Sequence, residues 1–157
     1  MRMISAIIGL LLAVGAAAPA GAEPPSTLGV IGDDDRRAGM VDLDRFERLL
    51  ITAARERRPV TYGQVLAFFE RRVTPITVSA LCRDLGHVCR RVEAAGGPDL
   101  ACLVVRKSDG MPGDGYFASL RQDGEYDGSS EGPRAVRLLR SRQQAAYAWA
   151  AATVTDG

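Results

Sequence analysis

Three cysteines and one histidine are the side chains of this sequence with the widest range of chemistry: nucleophilic catalysis, metal ligation and disulfide formation. Cys82, His87 and Cys89 lie close together in sequence, and Cys102 follows. The sequence has no Cys-x-x-Cys or His-x-x-His spacing, which a zinc site normally provides. His87 and Cys89 are two residues apart on a predicted helix, so they point in different directions. We therefore expect no metal, no cofactor and no catalytic residue.

The cysteines are also candidates for a disulfide. Cys82 and Cys89 are seven residues apart on one predicted helix, about 10 Å along its axis, which is too far for a bond. Cys102 lies on a predicted strand that runs back past this helix and approaches Cys89 more closely. If a disulfide forms, we expect Cys89–Cys102; the alternative is three buried free thiols.

Arginines are concentrated in the middle of the chain, where residues 45–92 carry ten Arg against four acids. Several of them, with the single histidine, lie on the predicted third helix away from its apolar stripe. This arrangement predicts a face for an anionic partner, although Asp84 is expected to interrupt it. The alternative is a solvated helix face. The face consists of Arg71, Arg72, Arg83, His87, Arg90 and Arg91.

Capping residues and hydrophobic periodicity predict the helices that position this face. Asp42 is a predicted N-cap for a first helix over about 42–57, and Val60 predicts a short bridge to a sheet. Thr61 and Gln64 have capping-box spacing for a second helix that ends near Arg72. A third helix starts near Thr77 and ends at Gly96-Gly97-Pro98. Its buried stripe is Val78, Leu81, Leu85, Val88 and Val92.

The remainder predicts a β-hairpin and a last helix. Leu100–Val105 reads as one strand and Tyr116-Phe117-Ala118 as its return strand. The Gly110–Gly115 run between them is predicted as a turn, because it has neither a lysine nor a following helix. Pro133 suits the first turn of the last helix. Its predicted inner face is Leu138, Leu139, Arg142, Ala145, Ala146 and Trp149.

This order of elements predicts an α+β, winged-helix-like fold: three helices, a β-hairpin and a C-terminal helix. Three sequence features resemble those of an uncharacterised bacterial winged-helix-like domain. They are Thr61-Tyr62-Gly63, Pro98-x-Leu100 before Leu103-Val104-Val105, and Gly110-x-Pro112-Gly113-x-Gly115 followed by Tyr116. The resemblance covers roughly residues 43–150 and implies the fold.

Thr61–Val65 also resembles the opening of the DNA-binding half of the alkylguanine-DNA alkyltransferases. That family carries its nucleophile in a Pro-Cys-His-Arg-Val motif some thirty residues further on. Cys89-Arg90-Arg91-Val92 stands at about this distance, but the proline is missing and Arg90 replaces the activating histidine. A thiol without its base is a poor nucleophile, so the resemblance does not extend to alkyl transfer.

Residues 1–22 have the layout of a secretory signal peptide. Arg2 precedes an apolar run, Pro19 interrupts it, and Ala20-Gly21-Ala22 supplies small residues for cleavage after Ala22. The run is too short and too rich in Ala and Gly to favour a membrane span. We expect a periplasmic or secreted protein that begins at Glu23.

The expected mature chain consists of a disordered leader (23–40), one domain (41–152) and a tail (153–157). Its acidic and basic residues balance at nineteen each, so no overall field draws it to DNA or anionic lipid. We expect an exported, non-enzymatic protein that binds another macromolecule, with a protein partner favoured over nucleic acid. The alternative is a cytoplasmic winged-helix DNA-binding module whose true start is Met40.

Overall fold

The computed structural model describes residues 39–153. The predicted signal peptide, most of the predicted leader and the last four residues lie outside the described residues. The described chain is an α+β fold, in which five helices accompany one pair of two-residue strands. In chain order the elements are α1 (Leu43–Arg55), β1 (Val60–Thr61), α2 (Tyr62–Phe68), α3 (Pro75–Ala94), a 3₁₀ turn (Leu100–Leu103), β2 (Val104–Val105), α4 (Asp114–Gln122) and α5 (Gly132–Ala152).

The first two helices begin at the predicted capping residues. The Asp42 carboxylate accepts a hydrogen bond of 2.9 Å from the Arg45 N–H. Thr61 and Gln64 form the predicted capping box, in which each side chain accepts from the other residue's backbone N–H. Such caps pair N–H groups that have no partner within the helix. The predicted apolar face of α1 is confirmed, because Leu43, Phe46, Leu50, Ala53 and Ala54 are buried.

α3 begins two residues before the predicted start. Thr74 is its N-cap and Pro75 its first residue, a position where proline costs no hydrogen bond. The helix ends as predicted: Gly96 takes the left-handed conformation (φ 86°) and Gly97 N–H donates to Val92 O. The predicted stripe is confirmed at its centre, where Leu81, Leu85, Val88 and Val92 are buried.

The predicted β-hairpin over residues 100–118 is wrong. Leu100–Leu103 forms a 3₁₀ turn, and the Asp99 carboxylate caps it by accepting from Ala101 N–H at 2.8 Å. The following strand, β2, pairs with β1 in parallel, with Val60 opposite Val104. The predicted bridge at Val60 is therefore confirmed, while its partner strand does not continue into an antiparallel wing.

The residues of the predicted return strand form helix α4. Phe117 and Leu120 are both buried, in a small second core with Tyr126 and Ala135. A spacing of three residues places two side chains on one face of a helix but on opposite faces of a strand. Helix is thus the conformation that buries both. The Gly110–Gly115 run is followed by a helix after all, contrary to the prediction.

α5 begins with Pro133 in its first turn, as predicted. α1 packs against both α3 and α5 and so lies at the centre of the main core. Among the described residues no helix is long and apolar enough to cross a membrane. The inner face of α5 was only partly predicted, since Ala145 is exposed and Leu138 half-buried. The buried residues of α5 are Ala135, Leu139, Ala146, Tyr147 and Ala150.

Candidate functional site

The turn between α2 and α3 carries the exposed large apolar side chains of the described residues. Phe68, the last residue of α2, is 44% exposed; Val73 in the connection is 64% exposed; Ile76 in the first turn of α3 is 80% exposed. We call these three residues the turn patch. Single exposed apolar residues are normal on a protein surface, but three within nine residues of the chain make this turn a candidate interaction surface.

An aromatic chain connects the turn patch to the core. The buried ring of Phe46 contacts Phe69 edge to face, with 5.8 Å between centroids, and Phe69 contacts Phe68 in the same way at 5.0 Å. The Arg45 guanidinium lies 5.1 Å from the centroid of Phe68, within the range of a cation–π contact. These contacts hold the ring of Phe68 in position.

Hydrogen bonds also fix the backbone of the turn. The Thr77 hydroxyl accepts from Thr74 N–H at 2.9 Å and lies 2.6 Å from Arg72 O, to which it donates. Glu70 has a φ of 56°, a left-handed conformation that costs a non-glycine residue energy. Strained residues of this kind concentrate at functional turns. α2 ends at Phe68 rather than near Arg72, because the chain reverses at Glu70.

Two of the predicted face arginines lie on this turn. Arg71 donates to the backbone oxygen of Met40 at 3.3 Å. The exposed Arg72 guanidinium makes no ion pair or hydrogen bond within residues 39–153. Glu70 is the only acidic residue between Phe69 and Thr74. The turn therefore combines apolar surface with a net positive charge.

The outer face of α3, which we define as Arg83, His87 and Arg90, continues from the turn patch. Ile76 and Arg83 are seven residues apart and so lie on one side of the helix. Arg90 Nη2 lies 2.8 Å from His87 Nδ1. Because a guanidinium can only donate, His87 Nδ1 is the acceptor in this contact. The two arginines give the face its positive charge.

Arg91 does not belong to this face, contrary to the prediction. Its Nη2 lies 2.7 Å from Asp44 Oδ1 and 3.1 Å from Glu47 Oε2, both on α1. The two carboxylates compensate its charge, and the ion pairs join α3 to α1. The predicted face therefore divides into a turn part, an outer-face part and a structural arginine.

Asp84 is buried, whereas its polarity predicts a position on the exposed side of α3. It is only 4% exposed and accepts a hydrogen bond of 3.1 Å from Val41 N–H. The helical spacing alone predicts burial, because position 84 follows the buried Leu81 by three residues and precedes the buried Val88 by four. Hydrophobic periodicity misses such a position when the residue is polar.

The three cysteines are free thiols in this structure, so Cys89 and Cys102, the pair expected to bond if a disulfide forms, are not bonded here. The Cys102 thiol donates to Asp99 O at 3.3 Å. Burial raises the pKa of Cys102 to about 12 and that of Cys89 still further. Such thiols stay protonated near neutral pH, and the protonated form does not attack sulfur or carbon. Cys82 is exposed rather than buried, and partial burial still raises its pKa.

The surface of the described residues also has a cleft near the start of α1. An open cleft of about 290 Å³ is lined by Gly39–Asp44 and Arg91, where Asp44 already pairs with Arg91. Within residues 39–153, no three His, Cys, Asp or Glu side chains are grouped to hold a metal ion. The turn patch with its arginines is therefore the strongest candidate site.

Comparisons with known proteins give this site no relative: no family model, no curated protein and no solved structure matches the chain.

Proposed function

We propose that this chain is an exported, non-enzymatic interaction domain that binds a protein partner through the turn patch and the arginines beside it. The observation that carries the proposal is the exposure of Val73 and Ile76, 64% and 80%, on a turn whose backbone is fixed by hydrogen bonds. A rigid apolar centre with an arginine rim is the anatomy of a protein-binding hot spot. The signal-peptide pattern of residues 1–22 supports export.

A protein partner fits this surface better than duplex DNA. The order α1, β1, α2, α3 is compatible with the helical part of a winged helix, but the connection over residues 69–74 is longer than the three or four residues usual in a helix-turn-helix. Arg91 is also compensated by α1 carboxylates.

Site-specific photocrosslinking tests this proposal. Ser79 is exposed on α3, one turn from Ile76, and Ala148 is exposed on α5. A photoreactive amino acid at position 79 is expected to form a covalent adduct with a protein of the exported fraction, whereas the same group at 148 forms none. The adduct should disappear when Val73 and Ile76 are both replaced by serine. Equal adducts at the two positions would exclude this surface as the binding site.

DNA binding by a cytoplasmic form that starts at Met40 is the second candidate. Arg83 and Arg90 favour it, because both are exposed on the outer face of α3. This form predicts duplex affinity that falls with salt and with the double change of Arg83 and Arg90 to alanine. It also predicts that N-terminal sequencing of the native protein finds Met40, whereas export predicts Glu23. No measurable duplex binding at low salt would reject it.

A further inference from the structure

The chemistry of the turn patch defines what its partner must offer. We propose that the partner presents an acidic protein segment with at least two large apolar side chains. The apolar side chains seat on Val73 and Ile76, and the carboxylates pair with Arg72 and Arg83. This inference rests on the proposed function and adds the chemical class of the ligand.

The apolar requirement follows from how the turn is built. Val73 and Ile76 are mostly exposed, and the partly exposed ring of Phe68, at the end of α2, is held by Phe69 and Arg45. Covering one such side chain with an apolar partner group strengthens binding by roughly tenfold to a hundredfold. Because the turn is already ordered, little of this gain is lost to fixing the chain. A purely polar ligand leaves this contribution unused.

The acidic requirement follows from charge complementarity. Arg72 and Arg83 are exposed on either side of Ile76 in sequence, and neither guanidinium has an ion pair or hydrogen bond within residues 39–153. Arginine binds a carboxylate through two parallel N–H donors, which also fixes its orientation. Arg71 and Arg45 add positive charge while their own contacts hold them in place. A basic segment would meet repulsion from all four.

A protein segment fits this surface better than an anionic membrane. Membrane attraction grows with the number of basic residues near the lipid surface, but Glu70 stands within the turn and the expected mature chain is electrically balanced. A fixed turn with arginines at defined positions instead selects carboxylates at defined positions. Lipid binding is therefore an outcome that the experiment must be able to reveal.

A peptide library displayed on phage tests the ligand class. The chain from Glu23 to Gly157 is the bait, and the same chain with Val73 and Ile76 replaced by serine is the counter-selection. Enriched peptides are expected to contain an excess of Asp or Glu next to two or more large apolar residues. A synthetic peptide of the most enriched sequence should bind the unaltered chain at least tenfold more tightly than the serine variant.

Charge-matched variants then test the arginines with the same peptide. Replacing Arg72 and Arg83 with glutamine should raise the Kd at least tenfold and weaken its salt dependence. Replacing Arg137 and Arg140, two exposed arginines of α5, should leave the Kd within twofold. Thermal melting confirms that the four variant positions, all on the surface, leave the fold intact.

Three results would overturn this inference. They are a library selection that yields no patch-dependent peptide, a selection that yields peptides without acidic residues, and binding of the turn to vesicles containing phosphatidylserine in place of peptides. The proposed function fails separately. If a protein adduct forms at position 79 and depends on the turn patch but not on Arg72 or Arg83, the proposed function stands and the acidic ligand is rejected. If no such adduct forms, both proposals are rejected.

Discussion

The carboxylate of Asp84 lies beneath the backbone of Val41, whose N–H donates to it across 3.1 Å. Both residues are nearly inaccessible, at 4% and 6% exposure. Gly39 lies against the same carboxylate, since a Cβ at that position would be 3.2 Å from Asp84 Oδ1. The bond therefore joins the chain just before α1 to the middle of the helix that carries the outer face.

This bond makes Asp84 a stability determinant. Replacing Asp84 with alanine leaves the buried Val41 N–H without an acceptor, which costs about 1–3 kcal/mol in the free energy of unfolding. Asp84→Asn keeps an acceptor oxygen and should lose less. The neighbouring change Arg83→Ala, on the exposed side, should stay within about 0.5 kcal/mol. Urea denaturation of the three variants decides the point, and equal losses at positions 83 and 84 would contradict it.

Glu70 offers a gain in stability at the turn itself. Its φ of 56° costs a residue with a Cβ roughly 1–2 kcal/mol, and glycine avoids this cost but adds about 0.4–1 kcal/mol of chain entropy in the unfolded state. Glu70→Gly should therefore raise the free energy of unfolding by several tenths of a kcal/mol or more. Glu70→Ala keeps the strain and serves as the control. Equal stability of the two variants, measured by thermal melting, would show that position 70 is not strained.

Gly97, just after α3, packs closely against Val92 of α3 and Trp149 of α5. A Cβ there would lie 2.5 Å from Val92 Cγ1 and 3.0 Å from Trp149 Cζ2, so Gly97→Ala should cost about 1–3 kcal/mol through overpacking. Gly115→Ala is the matched control, because a Cβ at 115 in α4 meets nothing within 4 Å. Trp149 is the single tryptophan, so its fluorescence reports both unfolding and any local displacement. An unchanged midpoint in Gly97→Ala would refute the close approach.

Local signals in the sequence predicted the helices that form the site. The Asp42 and Thr61 caps and the Leu81–Val92 stripe act over a few residues, and the structure confirms them. No local pattern in the sequence predicts the exposed turn patch. Whether a residue at the end of a helix is exposed depends on how the chain turns after it. The turn after α2 depends on the left-handed conformation of Glu70. A glycine at that position would have indicated such a turn, but the residue is a glutamate.

The predicted hairpin failed because short apolar runs do not distinguish strand from helix. Val104 and Val105 do form a strand, but its partner is β1, more than forty residues away in sequence. Because β2 pairs with β1, it needs no return strand over residues 116–118. That segment instead forms part of helix α4, which buries Phe117 together with Leu120. Pairings between distant residues of this kind are decided by tertiary packing, which no local pattern records.

The buried thiol of Cys102 is expected to make the fold less stable at alkaline pH. Burial raises the pKa of Cys102 from 9.0 to about 12, so between these values the folded state holds a proton that the unfolded state has lost. The free energy of unfolding should therefore be unaffected by this group below pH 8 and fall as the pH rises from 9 to about 12. The slope is at most about 1.4 kcal/mol per pH unit for one thiol.

Cys102→Ala tests this pH dependence. The variant loses packing and is expected to be less stable at pH 7, but its stability should fall less steeply above pH 9. Urea denaturation of both proteins between pH 7 and 10.5 gives the two slopes. An identical slope in the variant would assign the alkaline loss to other groups, such as Tyr116, whose pKa burial also raises.

Comparing Arg91 with Arg83 tests whether an arginine of α3 stabilises the fold or binds the partner. Its guanidinium lies between Asp44 and Glu47 of α1, and because its side chain is 43% exposed, Arg91→Ala should cost only about 0–1 kcal/mol of stability. We expect this variant to bind the library-selected peptide as tightly as the unaltered chain, since the charge of Arg91 is already compensated. Arg83→Ala, on the same helix, should weaken that binding severalfold with no loss of stability.

Calorimetric titration of the two single variants compares them directly. If Arg91→Ala weakened binding as much as Arg83→Ala, the anionic partner would reach across to α1, and the binding face would be the six-residue one that the sequence predicted.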